Sequence, residues 1–287
     1  MSWFDDTLHR AMAEAVLAGA LAGLVGVHVV LRRLSFFTIA LSHATFPGVV
    51  AAAIVSLNIY LGGALAGIVV VFGVAGLGRA RGQNAAAATG VVLSGGFALG
   101  VGLVATQNGF SRDLSSFLVG SILTVTMSDI ATTAVVLLLV LVIAAGLGRQ
   151  LVFGGFDPVG ARAAGLRAGP VDLTLLLTIE LVIVVVVPAV GTILALALIV
   201  APAAAARLWS DRLGVMTVLA VLFGAGSGIA GLLLSDRYNV AAGAAISLTA
   251  TAILLISSLL TRSWPVRRRS LPAPPLSAHE TAEVAYR

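Results

Sequence analysis

Arg32-Arg33-Leu34-Ser35-Phe36-Phe37-Thr38-Ile39-Ala40-Leu41-Ser42-His43-Ala44-Thr45-Phe46-Pro47-Gly48 is the stretch on which the reading of this chain turns. Two arginines close one apolar segment, and a histidine follows about ten residues into the next. At ~1.5 Å of rise per helical residue, His43 sits roughly 15 Å from the charged boundary. A bilayer's hydrocarbon core is ~30 Å thick, so this is close to its midplane. An imidazole there is costly unless it faces protein, water or a ligand.

The rest of the composition says the same. The chain is 59% hydrophobic and only 10% charged, with a mean hydropathy of +1.09. Soluble domains carry roughly a quarter of their residues charged. This chain cannot cover itself against water, so lipid must be its solvent. All 17 basic residues are arginine. A phosphate-binding P-loop needs its Gly-Lys-Ser/Thr lysine, so the chain does not hydrolyse ATP by that route, and any ATP energy must come from a partner. The absence of cysteine removes disulfides, thiolate ligands and cysteine nucleophiles together. The start, Met1 to Arg10, is acidic before it is basic and lacks a positive n-region and cleavage site. The first apolar run is therefore read as a retained span.

Apolar runs fall at 12–31, 36–57, 61–77, 86–106, 127–147, 171–187, 190–206, 214–234 and 240–260. Each approaches the ~17–25 residues a helix needs to cross. The expected fold is all-α, a polytopic membrane helix bundle of about nine spans within a range of eight to ten. The weakest boundaries are at 57–61 and 187–190. With the C-terminus inside, Arg32, Arg33, Arg79, Arg81, Arg149, Arg162, Arg167, Arg207, Arg212, Arg262, Arg267, Arg268, Arg269 and Arg287 are cytoplasmic. Only Arg10, Arg112 and Arg237 are left outside, fourteen against three. That asymmetry predicts the N-terminus out and the C-terminus in.

Two segments are too short or too polar to cross. Gln107 to Asp113 leads into Leu114 to Thr124, which reads as an interfacial or re-entrant helix. Phe153 to Arg167 is the longest internal connection, where Asp157 can cap a helix that has Pro158 at its first position and Gly165 past its end. A short amphipathic helix on the cytoplasmic face is expected there. Residues 1–263 form a single transmembrane permease domain in this reading. Residues 264–287 form a Pro/Arg-rich, disordered cytoplasmic tail whose Arg267-Arg268-Arg269 cluster touches anionic lipid.

Among residues able to carry chemistry, His43 stands first and Glu180 second. Glu180 lies mid-span in Thr178-Ile179-Glu180-Leu181-Val182, where a lone carboxylate must be protonated, paired or wet. It could be a cation ligand, a proton carrier or a partner to an arginine or histidine. His28, one turn before Arg32, is read as an interfacial packing residue. Asp129 and Asp172 start spans and complement helix dipoles. The 32 glycines lie mostly within spans and suit close helix packing.

Together these segments resemble the metal-ion (zinc/manganese/iron) permease family of ABC importers, over about residues 12–260. Arg32-Arg33 with Ala40-Leu41-Ser42-His43-Ala44 looks like that family's second-helix signature, Arg-Arg…Phe-x-x-Asp-Ala-Leu-Ser-His-Ala. Val190-Gly191-Thr192-Ile193-Leu194 through Pro202-Ala203-Ala204-Ala205-Ala206 resembles its Val-Gly-x-x-Leu…Pro-Ala-x-x-Ala block. Gly120-Ser121-Ile122-Leu123 with Ser128-Asp129, and Phe156-Asp157…Gly165-Leu166, fall in order between them. The resemblance implies a multi-pass bacterial plasma-membrane permease that alternates access to a central path. It is not itself an enzyme. Its expected partners are a second copy of itself, two cytoplasmic ATP-binding subunits and an extracytoplasmic solute-binding protein, with no nucleic acid. No cofactor is bound permanently; a divalent metal ion is the expected cargo. Asp157, Pro158, Ala161, Gly165 and Leu166 would then couple to the ATPase, with His43 and Glu180 as metal ligands of the path. One departure matters: the family places Asp four residues before the histidine, and here that position is Ile39. Either Glu180 or another carboxylate supplies the missing oxygen, or the fold carries a different solute such as a chelate. A proton-coupled secondary transporter is the reading from another class.

Overall fold

The computed structural model describes residues 7–77, 85–106, 120–165 and 168–263. Eleven α-helices occur among them: α1 Thr7–Leu31, α2 Ser35–Ala44, α3 Phe46–Ile54, α4 Ile59–Leu77, α5 Ala85–Ala105, α6 Met127–Phe156, α7 Pro158–Ala163, α8 Ala168–Val190, α9 Thr192–Trp209, α10 Leu213–Tyr238 and α11 Ala242–Ser263. A 3-10 turn, Ile122–Thr124, precedes α6. No strand occurs among the described residues, as expected where only intrahelical bonds can satisfy the backbone in lipid. Seven helical segments are long and apolar enough to cross a membrane, and Thr89–Ala105 and Leu194–Trp209 are shorter apolar helices.

Burial sorts the helices into a centre and a shell. Of the most apolar window of each, 72% is buried in α1 and 67% in α8, against 17% in α6. Ala15, Ala18, Leu21 and Val25 of α1 pack in one core with Ile179, Val182 and Ile183 of α8 and Leu198 and Ile199 of α9. Leu65, Val69 and Phe72 of α4, Leu138 and Val142 of α6 and Leu255 and Leu259 of α11 point outward. Leucine-rich outer faces are what lipid solvates.

Helix α1 is held at backbone distance by small residues. A Cβ on Gly19 would overlap the Gly224 carbonyl of α10, one on Gly23 the Ala220 carbonyl, and one on Gly26 the Ile199 carbonyl of α9. Lipid tails are as apolar as leucine, so such close contact, rather than hydrophobic exclusion, holds membrane helices together.

The second apolar run, 36–57, is two helices and not one. Thr45 separates α2 from α3, with Pro47 in the first turn of α3. Proline cannot donate to the carbonyl four residues back, which is that of His43, and its ring crowds that carbonyl. The helix therefore breaks just after the histidine. At the other weak boundary, Gly191 alone, with φ +98°, separates α8 from α9. Only a residue without a Cβ takes that conformation readily.

The segment expected as an interfacial helix over Leu114 to Thr124 is described from Gly120 onward. There the described part holds a 3-10 helix, Ile122–Thr124; before it, Gly120 has φ +81° and packs against the Ala189–Gly191 backbone, and Ser121 N–H donates to the Pro188 carbonyl (3.2 Å). Residues 114–119 and the tail 264–287 lie outside the described residues.

Two neighbouring glycines test the packing. Gly224→Ala is expected to cost about 1–3 kcal/mol through overpacking, because its Cβ would meet the Gly19 carbonyl. Gly226→Ala has open space and is expected to be neutral. Thermal melts in detergent read the difference; equal melting temperatures would mean that α1 and α10 do not touch there.

Candidate functional site

His43 lies in the last turn of α2, and its ring is edge-on to Phe97 of α5 (centroids 5.6 Å, interplanar angle 86°). Phe97 in turn meets Phe46 (6.4 Å). Two glycines of α5 receive the broken helix: a Cβ on Gly96 would strike Ala44, and one on Gly100 would strike the Phe46 ring. The face of α2 that α5 and the core leave partly open carries Phe36, Ile39 and His43, spaced three and four residues apart as one helix face requires. His43 thus stands half-buried on an incompletely covered face, beside the Pro47 break.

Glu180 is elsewhere in the bundle. It is 2% exposed, and neither carboxyl oxygen has a hydrogen-bond partner among the described residues. Its carboxyl group lies against Gly67 of α4, where a Cβ would collide with it. Glu180 and His43 make no hydrogen bond with each other. Among the described residues, no three His, Cys, Asp or Glu side chains are grouped to hold a metal ion within one chain. A buried, uncompensated carboxylate is expensive, so Glu180 calls for a proton, a cation or water.

Glu14 is absent from the residues that sequence reasoning singles out. It is 1% exposed in α1; Thr133 Oγ1 donates to its Oε1 (2.7 Å), and its Oε2 has no partner among the described residues. Thr133 Oγ1 also reaches the Asp129 carbonyl (3.1 Å), and Tyr60 Oη donates to Asp129 Oδ1 (2.7 Å). Asp129 Oδ2 accepts from Thr126 N–H (2.9 Å), closing a capping box on α6. The dipole role expected for Asp129 is joined by a polar tie between α1, α4 and α6. A lone acid early in the first apolar run was the available signal.

At the opposite end of α6, Asp157 caps the short helix α7: its Oδ1 accepts from Gly160 N–H (2.8 Å), and Gly165 has φ +79° beyond its end. Ala161 is buried. Leu166 lies outside the described residues. His28 lines a small apolar cleft between α1, α6 and α8 with Leu24, Leu151 and Thr178.

The ABC 3 transport family matches residues 4–261. The chain belongs to that family. Its relatives include the manganese transport system membrane protein MntC of Halalkalibacterium halodurans, 33% identical over 268 residues, covering 91% of this chain and 92% of that one. The zinc transport system membrane protein TroC of Treponema pallidum is 33% identical over 290 residues, 93% of this chain and 95% of that one. Among solved structures, PsaBC from Streptococcus pneumoniae in complex with a Fab superposes with a TM-score of 0.80 at 33% identity, covering 88% of this chain and 90% of that one.

The Glu180–Gly67 contact gives a prediction. Gly67→Ala is expected to destabilise the protein by about 1–3 kcal/mol, and Glu180→Ala in the same chain is expected to recover most of that loss. A double-mutant cycle by detergent melting measures the coupling; additive effects would show that the two groups do not meet.

Proposed function

We propose that this chain is the permease subunit of an ATP-driven ABC importer that carries a divalent first-row metal ion, manganese, zinc or iron, across a bacterial plasma membrane. The observation that carries the reading is the family match over nearly the whole chain, with relatives named for manganese and zinc transport at 33% identity. The lack of any lysine, and so of a P-loop, agrees with ATP hydrolysis on a separate subunit.

In this reading the seven long apolar segments and the two shorter ones make nine spans, with the N-terminus out and the C-terminus in. Two copies pair across the open α2 face, so that His43 of each lines a shared path and imidazole nitrogens meet the ion. Pairing by symmetry answers the absence of three ligands within one chain. Glu180 is the carboxylate proposed to act for the one that Ile39 replaces. Two cytoplasmic ATP-binding subunits engage α7 through Asp157, Pro158, Ala161, Gly165 and Leu166, and a solute-binding protein delivers cargo outside. Closure of the ATPases then rocks the two halves between outward and inward access.

Reconstitution with the ATP-binding subunit and the solute-binding protein tests this. ATP-dependent accumulation of Mn²⁺, Zn²⁺ or Fe²⁺ is expected, reduced at least tenfold by His43→Ala and by Glu180→Gln. Normal transport by both variants would remove them as ligands. Chelate uptake without free-ion uptake would favour the reading that Ile39 motivates. Uptake driven by a pH gradient in vesicles holding this chain alone would favour the secondary transporter.

A further inference from the structure

Arg32 joins three parts of the bundle that the chain keeps far apart. Its backbone ends α1. Arg32 N–H donates to the His28 carbonyl (3.0 Å), Arg33 N–H to Val30 (3.3 Å) and Leu34 N–H to Val29 (2.9 Å). Arg33 takes the left-handed conformation (φ +57°), and the pattern is a Schellman closure with arginine where glycine is usual. Helix α2 grows straight out of that closure: the Leu34 carbonyl accepts from Thr38 N–H (2.9 Å) and Thr38 Oγ1 (3.1 Å). The corner between α1 and α2 is therefore stiff, and α2 carries His43 in its last turn, nine residues after Leu34.

The Arg32 side chain faces the other way. Nη1 donates to Asp172 Oδ1 in an ion pair, and Nη2 donates to the Leu151 carbonyl (2.6 Å). Leu151 lies in the last turns of α6 and Asp172 in the first turn and a half of α8, the two helices that lead into and out of α7. Gly155 leaves the room that the stem uses; a Cβ there would stand 3.2 Å from Arg32 Nε. The Arg32 side chain is only 12% exposed. A planar fork with five donors can hold a carboxylate and a carbonyl at once, which an ammonium on a flexible stem does not reproduce.

We propose that Arg32 is a positioning residue that transmits displacement of α7 to α2, by clamping both helices that flank α7 to the corner from which the His43 helix starts. This rests on the reading of the chain as an ABC permease whose ATPase engages α7. In that setting a push on α7 moves the α6 and α8 ends, the guanidinium carries the movement across, and the stiff corner passes it to α2. Without the clamp, α7 could follow the ATPase while α2 stays behind.

The test uses the full complex in proteoliposomes, reading ATP hydrolysis and metal uptake in the same vesicles. Arg32→Gln is expected to assemble and hydrolyse ATP within about twofold of wild type, while uptake per ATP falls at least tenfold. Asp172→Asn is expected to fall less, because the Leu151 carbonyl bond survives. The double variant is expected to be no worse than Arg32→Gln alone. An unchanged uptake per ATP in Arg32→Gln overturns the proposal, as does a parallel fall of hydrolysis, uptake and melting temperature, which marks a structural staple only. A second readout does not depend on transport. The chain has no cysteine, so Ser35→Cys, at the start of α2 and off the face proposed to pair, and Ala163→Cys, exposed on α7, take spin labels at single sites. Their distance distribution is expected to broaden at least twofold in Arg32→Gln, and an unchanged width overturns the clamp. If wild type shows no ATP-dependent uptake, the importer reading fails, while the label distances still decide whether Arg32 ties α7 to α2.

Discussion

Every backbone amide in the hydrocarbon layer must find its partner within the protein, and with no water to exclude, the helices can cohere only by touching closely. Helix α1 meets that requirement for the whole bundle. Its glycines at 19, 23 and 26 lie against the backbones of α10 and α9. Its alanines and leucines fill the core shared with α8. The shell helices α4, α6 and α11 are then free to spend one face on lipid.

A centre packed this tightly makes each polar group inside it conspicuous. Tyr60, Thr133 and Asp129 form a hydrogen-bonded tie near the start of α6 that reaches Glu14. Arg32 forms another at the far end of the same helix, with Leu151 and Asp172. These two ties brace α6 top and bottom against α1. Glu180, between them, has no tie among the described residues and rests on a glycine. His43 has an aromatic neighbour and an open side. Each bracing group has at least one hydrogen bond to another helix, whereas neither Glu180 oxygen has any among the described residues.

Much of this was legible beforehand, for identifiable reasons. Hydropathy located every long helix because the cost of burying a charge in lipid is steep enough to leave gaps at Arg32-Arg33, Arg149 and Arg207. Local chemistry located α7, since Asp157, Pro158 and Gly165 act within their own turn. The break at Thr45 leaves no gap in hydropathy, although Pro47 announces it, because the apolar run continues through it. Glu14 carries little signal in the sequence, because a single acid near the start of a span looks like a boundary residue. The pairing of Arg32 with Asp172, 140 residues apart, has no local signal at all.

The sequence by itself therefore determined the apolar composition, the all-helical class of fold and the family, because these follow from composition and short-range pattern. It also set a histidine deep in an apolar run, with Ile39 four residues before it. The tertiary structure alone decided which polar groups are braced and which stand free: that Glu180 faces Gly67 rather than His43, that the His43 face stays partly open, and that Arg32 reaches across to α6 and α8. Those outcomes depend on which helix backbones can approach, and close approach is a property of pairs of surfaces, not of any one stretch of chain.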